Sequence, residues 1–171
     1  STPPEIVVDL LNSYLTPATE IIFRYKGLLD KYIGDAVMAV FGTPLPEPQH
    51  SRLACQAAED TIRMVRVMQS TWRDEFHVPE IKIGVGINTG LMTVGNMGSE
   101  ARFDYTVMGD AVNLASRVEA LNKYYGTSIL VSQHTYLLVR NDFSFREIDQ
   151  VQVKGKKETL RIYEIPVDPD A

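Results

Sequence analysis

The sequence predicts an α+β domain, a mostly antiparallel sheet with helices packed on it. Three observations carry this. Helical and strand-like apolar periodicities alternate along the chain instead of segregating into blocks. Strand-like runs flank the short turn signals Gly34-Asp35 and Thr89-Gly90, which reads as hairpins. No repeat, low-complexity tract or long linker divides the 171 residues, a length that suits one domain with a real core.

Residues 4–25 set Ile6, Val7, Leu10, Leu11, Tyr14, Leu15, Ala18, Ile21 and Ile22 at three- and four-residue spacings, a helical stripe. Thr2 is the expected N-cap, with Pro3 and Pro4 in the first turn, where a missing N–H costs little. Pro17 should kink or split this helix. Leu28–Ile33 and Ala36–Phe41 then read as a hairpin about Gly34-Asp35. After a proline-rich loop at 43–48, a second helix runs through Leu53, Ala57, Ala58, Ile62, Val65, Met68 and Trp72. Ile81–Asn88 and Leu91–Val94 read as a second strand pair about Thr89-Gly90, and Arg102–Val107 as a short strand. Asp110 should cap a helix running to about Tyr124, with Gly126 ending it. A strand at Ile129–Val131 and a short helix at Gln133–Val139 follow. Two strands, Phe143–Val153 and Thr159–Ile165, close the domain around Lys154-Gly155-Lys156-Lys157. The domain is expected to occupy 1–166, with 167–171 a frayed tail.

Apolar residues make up 44% and charged residues 23%, an ordinary soluble composition. No run approaches the roughly 18 uninterrupted apolar residues of a membrane span, so no membrane contact is expected from this segment. The net charge of −5 argues against a nucleic-acid binder but not against a nucleotide substrate. Cys55 is the sole cysteine, which excludes an internal disulfide and suits a cytoplasmic setting. His50, His77 and His134 share no metal-ligand spacing, and Trp72 belongs to a core stripe.

Four groups of residues have chemical potential. Asp35, at a rigid turn, can hold a hard cation such as Mg²⁺, although an Asp that simply makes its turn is the better reading of spacing alone. Lys31, four residues earlier, is an ordinary strand lysine unless it lines a recess, where it can bond a purine acceptor. Asn113 and Arg117 stand one helical turn apart on one face, an amide and a guanidinium suited to ribose or phosphate oxygens. The alternative is a hydrated helix face, weakened if that helix is well buried. Lys154, Lys156 and Lys157 form a basic turn able to meet a polyphosphate, or merely a solvated one.

Taken together, four stretches resemble the class III adenylyl/guanylyl cyclase catalytic domain: Tyr25–Gly42 (YKGLLDKYIGDAVMAVFG), Ile83–Gly98 (IGVGINTGLMTVGNMG), Tyr105–Glu119 (YTVMGDAVNLASRVE) and Val153–Lys156 (VKGK). They occur in the family's order, in a flavour similar to bacterial and especially cyanobacterial homodimeric enzymes. The resemblance implies a ferredoxin-like core and ATP as substrate. It implies Asp35 as the second of two metal-binding aspartates for two Mg²⁺ or Mn²⁺ ions, and Lys31 and Thr106 as the base-reading pair. Thr106 marks a subgroup often stimulated by bicarbonate. The resemblance further implies that Asn113 orients the ribose, that Arg117 stabilises the transition state, and that Lys154 holds the terminal phosphates. It also implies a head-to-tail homodimer with two sites across its interface.

One departure stands out. The family's first metal aspartate lies in a strand ahead of the first helix, and the chain opens at that helix. Either an upstream strand completes the sheet, the expected case because every other motif is intact, or the chain is a fragment that cannot form the two-metal site; without that strand a long apolar edge would be left unpaired. A guanylyl cyclase is the near alternative, disfavoured by Lys31. A catalytically silent cyclase-like dimerisation or nucleotide-binding module is the distant one. A diguanylate cyclase lacks its Gly-Gly-Asp/Glu-Glu/Asp-Phe signature here.

Overall fold

The computed structural model describes residues 3–33, 36–97, 104–153 and 157–167, with the backbone alone at 96–97 and 104–106. The element order is α1 (Pro4–Arg24), β1 (Leu28–Ile33), β2 (Ala36–Val40), α2 (His50–Phe76), β3 (Val85–Ile87), β4 (Thr93–Met97), β5 (Asp104–Met108), α3 (Asp110–Tyr125), β6 (Ile129–Ser132), α4 (Gln133–Val139), β7 (Arg146–Gln152) and β8 (Thr159–Glu164). The α+β class is the one expected.

The core is organised by β6, whose four residues Ile129, Leu130, Val131 and Ser132 are all buried. Strand alternation sends Ile129 and Val131 to one face, where they meet Cys55, Ala58 and Ile62 of α2 and Val139 of α4. Leu130 points the other way, onto Val118 of α3, Val151 and Ile162. A strand covered on both faces must be apolar throughout, and this one is nearly so. It lies in a four-stranded sheet of order β3-β6-β8-β7, with β3 parallel to β6 and the other pairs antiparallel. Val167 is 8% exposed within this core, so packing reaches into the expected tail.

Two hairpins stand apart from that sheet, β1-β2 and β4-β5. The second corrects an expectation. The stretch before Thr89-Gly90 does not pair with the stretch after it: β3 joins β6, while β4 turns to β5. The apolar run at 81–88 yields only the short, partly buried strand β3 and the run at 91–94 starts an arm, a distinction that local periodicity does not make.

Trp72 sits in α2 at 1% exposed and donates its indole N–H to Ser13 Oγ of α1 at 2.8 Å. Ala18, Ile21 and Ile22 of α1 are buried. Pro17 therefore does not split α1, which runs unbroken through it. The one backbone bond it removes is outweighed by packing on α2. The expected cap Thr2 lies outside the described residues, and the residue before the helix is Pro3. At 21 residues α1 is, by length and composition alone, long and apolar enough to cross a bilayer, which the sequence reading had not anticipated. Its buried contacts with α2 also make it a core helix of the domain. Cys55 is fully buried and its thiol is pushed up to about 12 by burial, an inert packing group as expected.

Candidate active site

Helix α3 is launched by Gly109, whose φ of +130° is open only to glycine, and that residue rather than Asp110 occupies the cap position. The helix ends on Gly126 at φ +67°, as expected. Val118 and Asn122 are its fully buried residues, whereas Asn113 and Arg117 share an exposed face. The expectation of a well-buried helix is thus corrected at this face. Arg117 keeps its charge in water and uses Nη1 to donate to the main-chain carbonyl of Gln152, at the end of β7. Helix α3 meets β7 a second time, where Tyr125 donates its hydroxyl to the Asp149 carboxylate. That bond pushes the Tyr125 hydroxyl up to about 12 and lowers the Asp149 carboxyl below the usual carboxylate range.

Lys31 lies in β1 opposite Met38, just past a bulge at Asp30, since Leu29 pairs with Ala39 and Lys31 with Met38. The extra residue re-aims the side chains. Asp30 is turned inward to 1% exposed, while Lys31 stays 43% exposed with Nζ 3.5 Å from Asp30 Oδ2. Thr106 lies in β5 opposite Gly95. Strand β5 touches both β1 and α3, so the elements bearing Lys31, Thr106, Asn113 and Arg117 are contiguous. Asp35 and Lys154 lie outside the described residues. Among the described residues, no three His, Cys, Asp or Glu side chains converge on a possible metal position. The described part does not by itself build a metal site.

A cavity of about 760 Å³ is lined by none of Lys31, Asn113 and Arg117. It is a slot walled by β2, β3, α1, α2 and α3, lined mostly by apolar side chains such as Val37, Val40, Phe41 and Ile87. Among the described strands neither β2 nor β3 is paired on the edge facing it. It is a gap between two sheet edges.

Two participants escaped the sequence reading. Gln152 matters through its carbonyl, a group every residue has, so nothing in the sequence marks it. Asn88 donates to the Ala111 carbonyl in the first turn of α3 at 2.9 Å. Its signal was present, as the one functional side chain in the every-second-residue series Gly84, Gly86, Asn88, Gly90.

An exposed amide and guanidinium on a helix that touches β5, the strand that in turn touches the lysine-bearing β1, suit a domain that handles nucleotides. The family model of the adenylate and guanylate cyclase catalytic domain matches residues 1–165. The adenylate cyclase of Anabaena cylindrica is 40% identical over 169 residues, covering 95% of this chain and 32% of that protein. The crystal structure of the adenylyl cyclase CyaB from P. aeruginosa has a TM-score of 0.85 at 35% identity, covering 96% of this chain and 84% of that one. The guanylyl cyclase Cya2 has a TM-score of 0.84 at 29% identity, covering 95% and 81%. The chain belongs to the adenylate and guanylate cyclase catalytic domain family. It spans less than a third of the length of the curated relatives it matches.

Proposed function

We propose that this domain converts ATP to 3′,5′-cyclic AMP and pyrophosphate, at sites formed between two copies arranged head to tail. The observation that carries the reading is the Asn113–Arg117 face of α3, exposed and contiguous with the strands of Lys31 and Thr106. In the reaction the ribose 3′-oxygen attacks the α-phosphorus and pyrophosphate leaves. Lys31 donates to adenine N1 and Thr106 accepts from the 6-amino group. Asn113 orients the ribose, and Arg117 meets the charge that develops on the transferring phosphoryl group. Lys154 holds the terminal phosphates. Two Mg²⁺ or Mn²⁺ ions belong to this reading: Asp35, with a second carboxylate, would hold them, and they would activate the ribose 3′-oxygen and neutralise charge on the departing pyrophosphate.

The exposed apolar side chains Tyr32 and Ile33 on β1 and Met108 on β5 lie on the strands of the base-reading pair, Val94 lies on β4 paired with β5, and together they support an interface there. The slot between β2 and β3 supports a further strand ahead of α1, bringing the partner carboxylate that Asp35 needs. Cytoplasmic placement and a bicarbonate response are parts of the same proposal.

The fold is shared by adenylyl and guanylyl cyclases alike, so Lys31 is what favours ATP. The deciding experiment is turnover of ATP against GTP with Mg²⁺ or Mn²⁺, with and without bicarbonate, on the domain with any residues that precede α1. Cyclic AMP as the main product supports the reading. Cyclic GMP as the main product, or no turnover of either, overturns it.

A further inference from the structure

Strand β3 and the residues around it present Gly84, Gly86, Asn88 and Gly90 to one face, and that face lies against α3. A Cβ on Gly84 would come 2.9 Å from Asn122 Cβ, one on Gly86 2.2 Å from the Glu119 nitrogen and 2.7 Å from the Ala115 carbonyl, and one on Gly90 3.0 Å from Ala111 Cβ. The helix therefore rests on bare backbone along Ala111, Ala115, Glu119 and Asn122. Asn113 and Arg117 follow Ala111 and Ala115 by two residues each, about 200° around the helix, on the opposite side.

On this seat the Asn88 side chain grips the helix near its start. Its Nδ2 donates to the Ala111 carbonyl at 2.9 Å, and its Oδ1 accepts from Ser132 Oγ at 2.5 Å. Ser132 is 1% exposed and itself accepts from the Thr135 backbone N–H at 3.4 Å, which leaves its hydroxyl proton for Asn88. The amide is thus orientated by the core strand β6. At the far end of the helix, Asn122 Nδ2 donates to the Val85 carbonyl at 3.0 Å.

We propose that Asn88 is a positioning residue for the phosphoryl-transfer face. It sets the rotation and axial placement of the first turns of α3, and through them the placement of Asn113 and Arg117. It touches neither side chain. The inference rests on the cyclase reading for its chemistry, but the grip itself does not. A smooth glycine seat allows a helix to slide or roll, and a misplacement of about 1 Å costs far more in a transition state than in ground-state binding.

The test is steady-state kinetics of Asn88→Ala and Asn88→Asp in the full-length protein, combined with Arg117→Ala. Asn88→Asp is isosteric and keeps the acceptor for Ser132, but puts an oxygen against the Ala111 carbonyl. Both variants should lower kcat about tenfold or more with KM within about twofold. Asn88→Ala should cost clearly less in the Arg117→Ala background than in the wild type, because part of its effect runs through Arg117. Asn122→Ala, at the other end of the helix, should lower Tm yet keep kcat within about twofold. Losses that multiply in the double variant, or wild-type kcat in Asn88→Asp, overturn the proposal. Hydrogen exchange reads the grip without catalysis. Amides 113–117 should exchange about tenfold faster in Asn88→Asp while those of β6 are unchanged, and unchanged exchange at 113–117 overturns it. If the wild-type protein turns over neither ATP nor GTP, the cyclase reading falls and the exchange result still decides the grip.

Discussion

Arg117, on the exposed face of α3, donates through Nη1 to the main-chain carbonyl of Gln152, the last residue of β7. Gln152 stands two residues before Lys154 in the chain. The guanidinium expected to meet the reacting phosphoryl group is therefore held at the strand end that precedes Lys154 in the chain. A backbone carbonyl is a neutral acceptor, and an incoming phosphate oxygen is a stronger one for guanidinium. The contact pre-orientates Arg117 without competing for it.

Replacing Arg117 with Ala should lower kcat about 100-fold or more while KM changes little, since the group acts on charge that appears only in the transition state. Arg117→Lys should recover only part of the loss, because a lysine lacks the planar fork. Initial rates with MgATP check both. Full turnover in Arg117→Ala would show that the helix face has another role.

Lys31 is an exposed strand residue with its Nζ 3.5 Å from Asp30 Oδ2. Lys31→Glu should reduce kcat/KM for ATP about tenfold or more and raise the GTP to ATP ratio, because a carboxylate suits guanine's N1 and 2-amino donors. An unchanged ratio would remove Lys31 from base reading.

The Tyr125–Asp149 bond makes a two-sided pH prediction. Asp149 has its carboxyl lowered on folding, so its contribution is present above the unfolded carboxyl value of about 3.9 and is lost as pH falls below it. Tyr125 is raised to about 12, so its contribution is complete below the unfolded phenol value of about 10 and is lost as pH rises toward about 12. The Tm difference between wild type and Tyr125→Phe should thus be flat between those limits and shrink outside them. A difference independent of pH from 3 to 11 would argue against the bond.

Trp72 joins α2 to α1 by both its ring and its N–H. Trp72→Ala should cost about 3–5 kcal/mol. Trp72→Phe, which keeps most of the ring and leaves Ser13 without its donor, should cost less. Denaturant unfolding separates the two, and equal losses would mean that the hydrogen bond, not packing, holds the helices together.

Much of the fold was legible because its signals are local. The stripe of α1, the glycine stop at Gly126 and the apolar Ile129–Val131 run each report the environment of a few neighbouring residues. Thr89-Gly90 misled for the same reason. The residues around it look like a hairpin, but pairing is decided by which partner strand is available, and β6 captured β3. Pro17 does not split α1, because the rule weighs one backbone bond and cannot see the face that α2 buries.

For the site, the sequence alone determined which chemical groups are present, and their order resembles a cyclase closely enough to name Lys31, Asp35, Thr106, Asn113, Arg117 and Lys154. Spacing of four residues also put Asn113 and Arg117 on one face, because helical period is a local property. Only the tertiary structure decided that this face is exposed and that Arg117 leans on Gln152. It alone showed that α3 lies on glycine backbone and is gripped by Asn88, and that β2 and β3 leave a slot between them. Each of these depends on surfaces brought together from distant parts of the chain, where the partner is often a backbone carbonyl that no side-chain pattern marks.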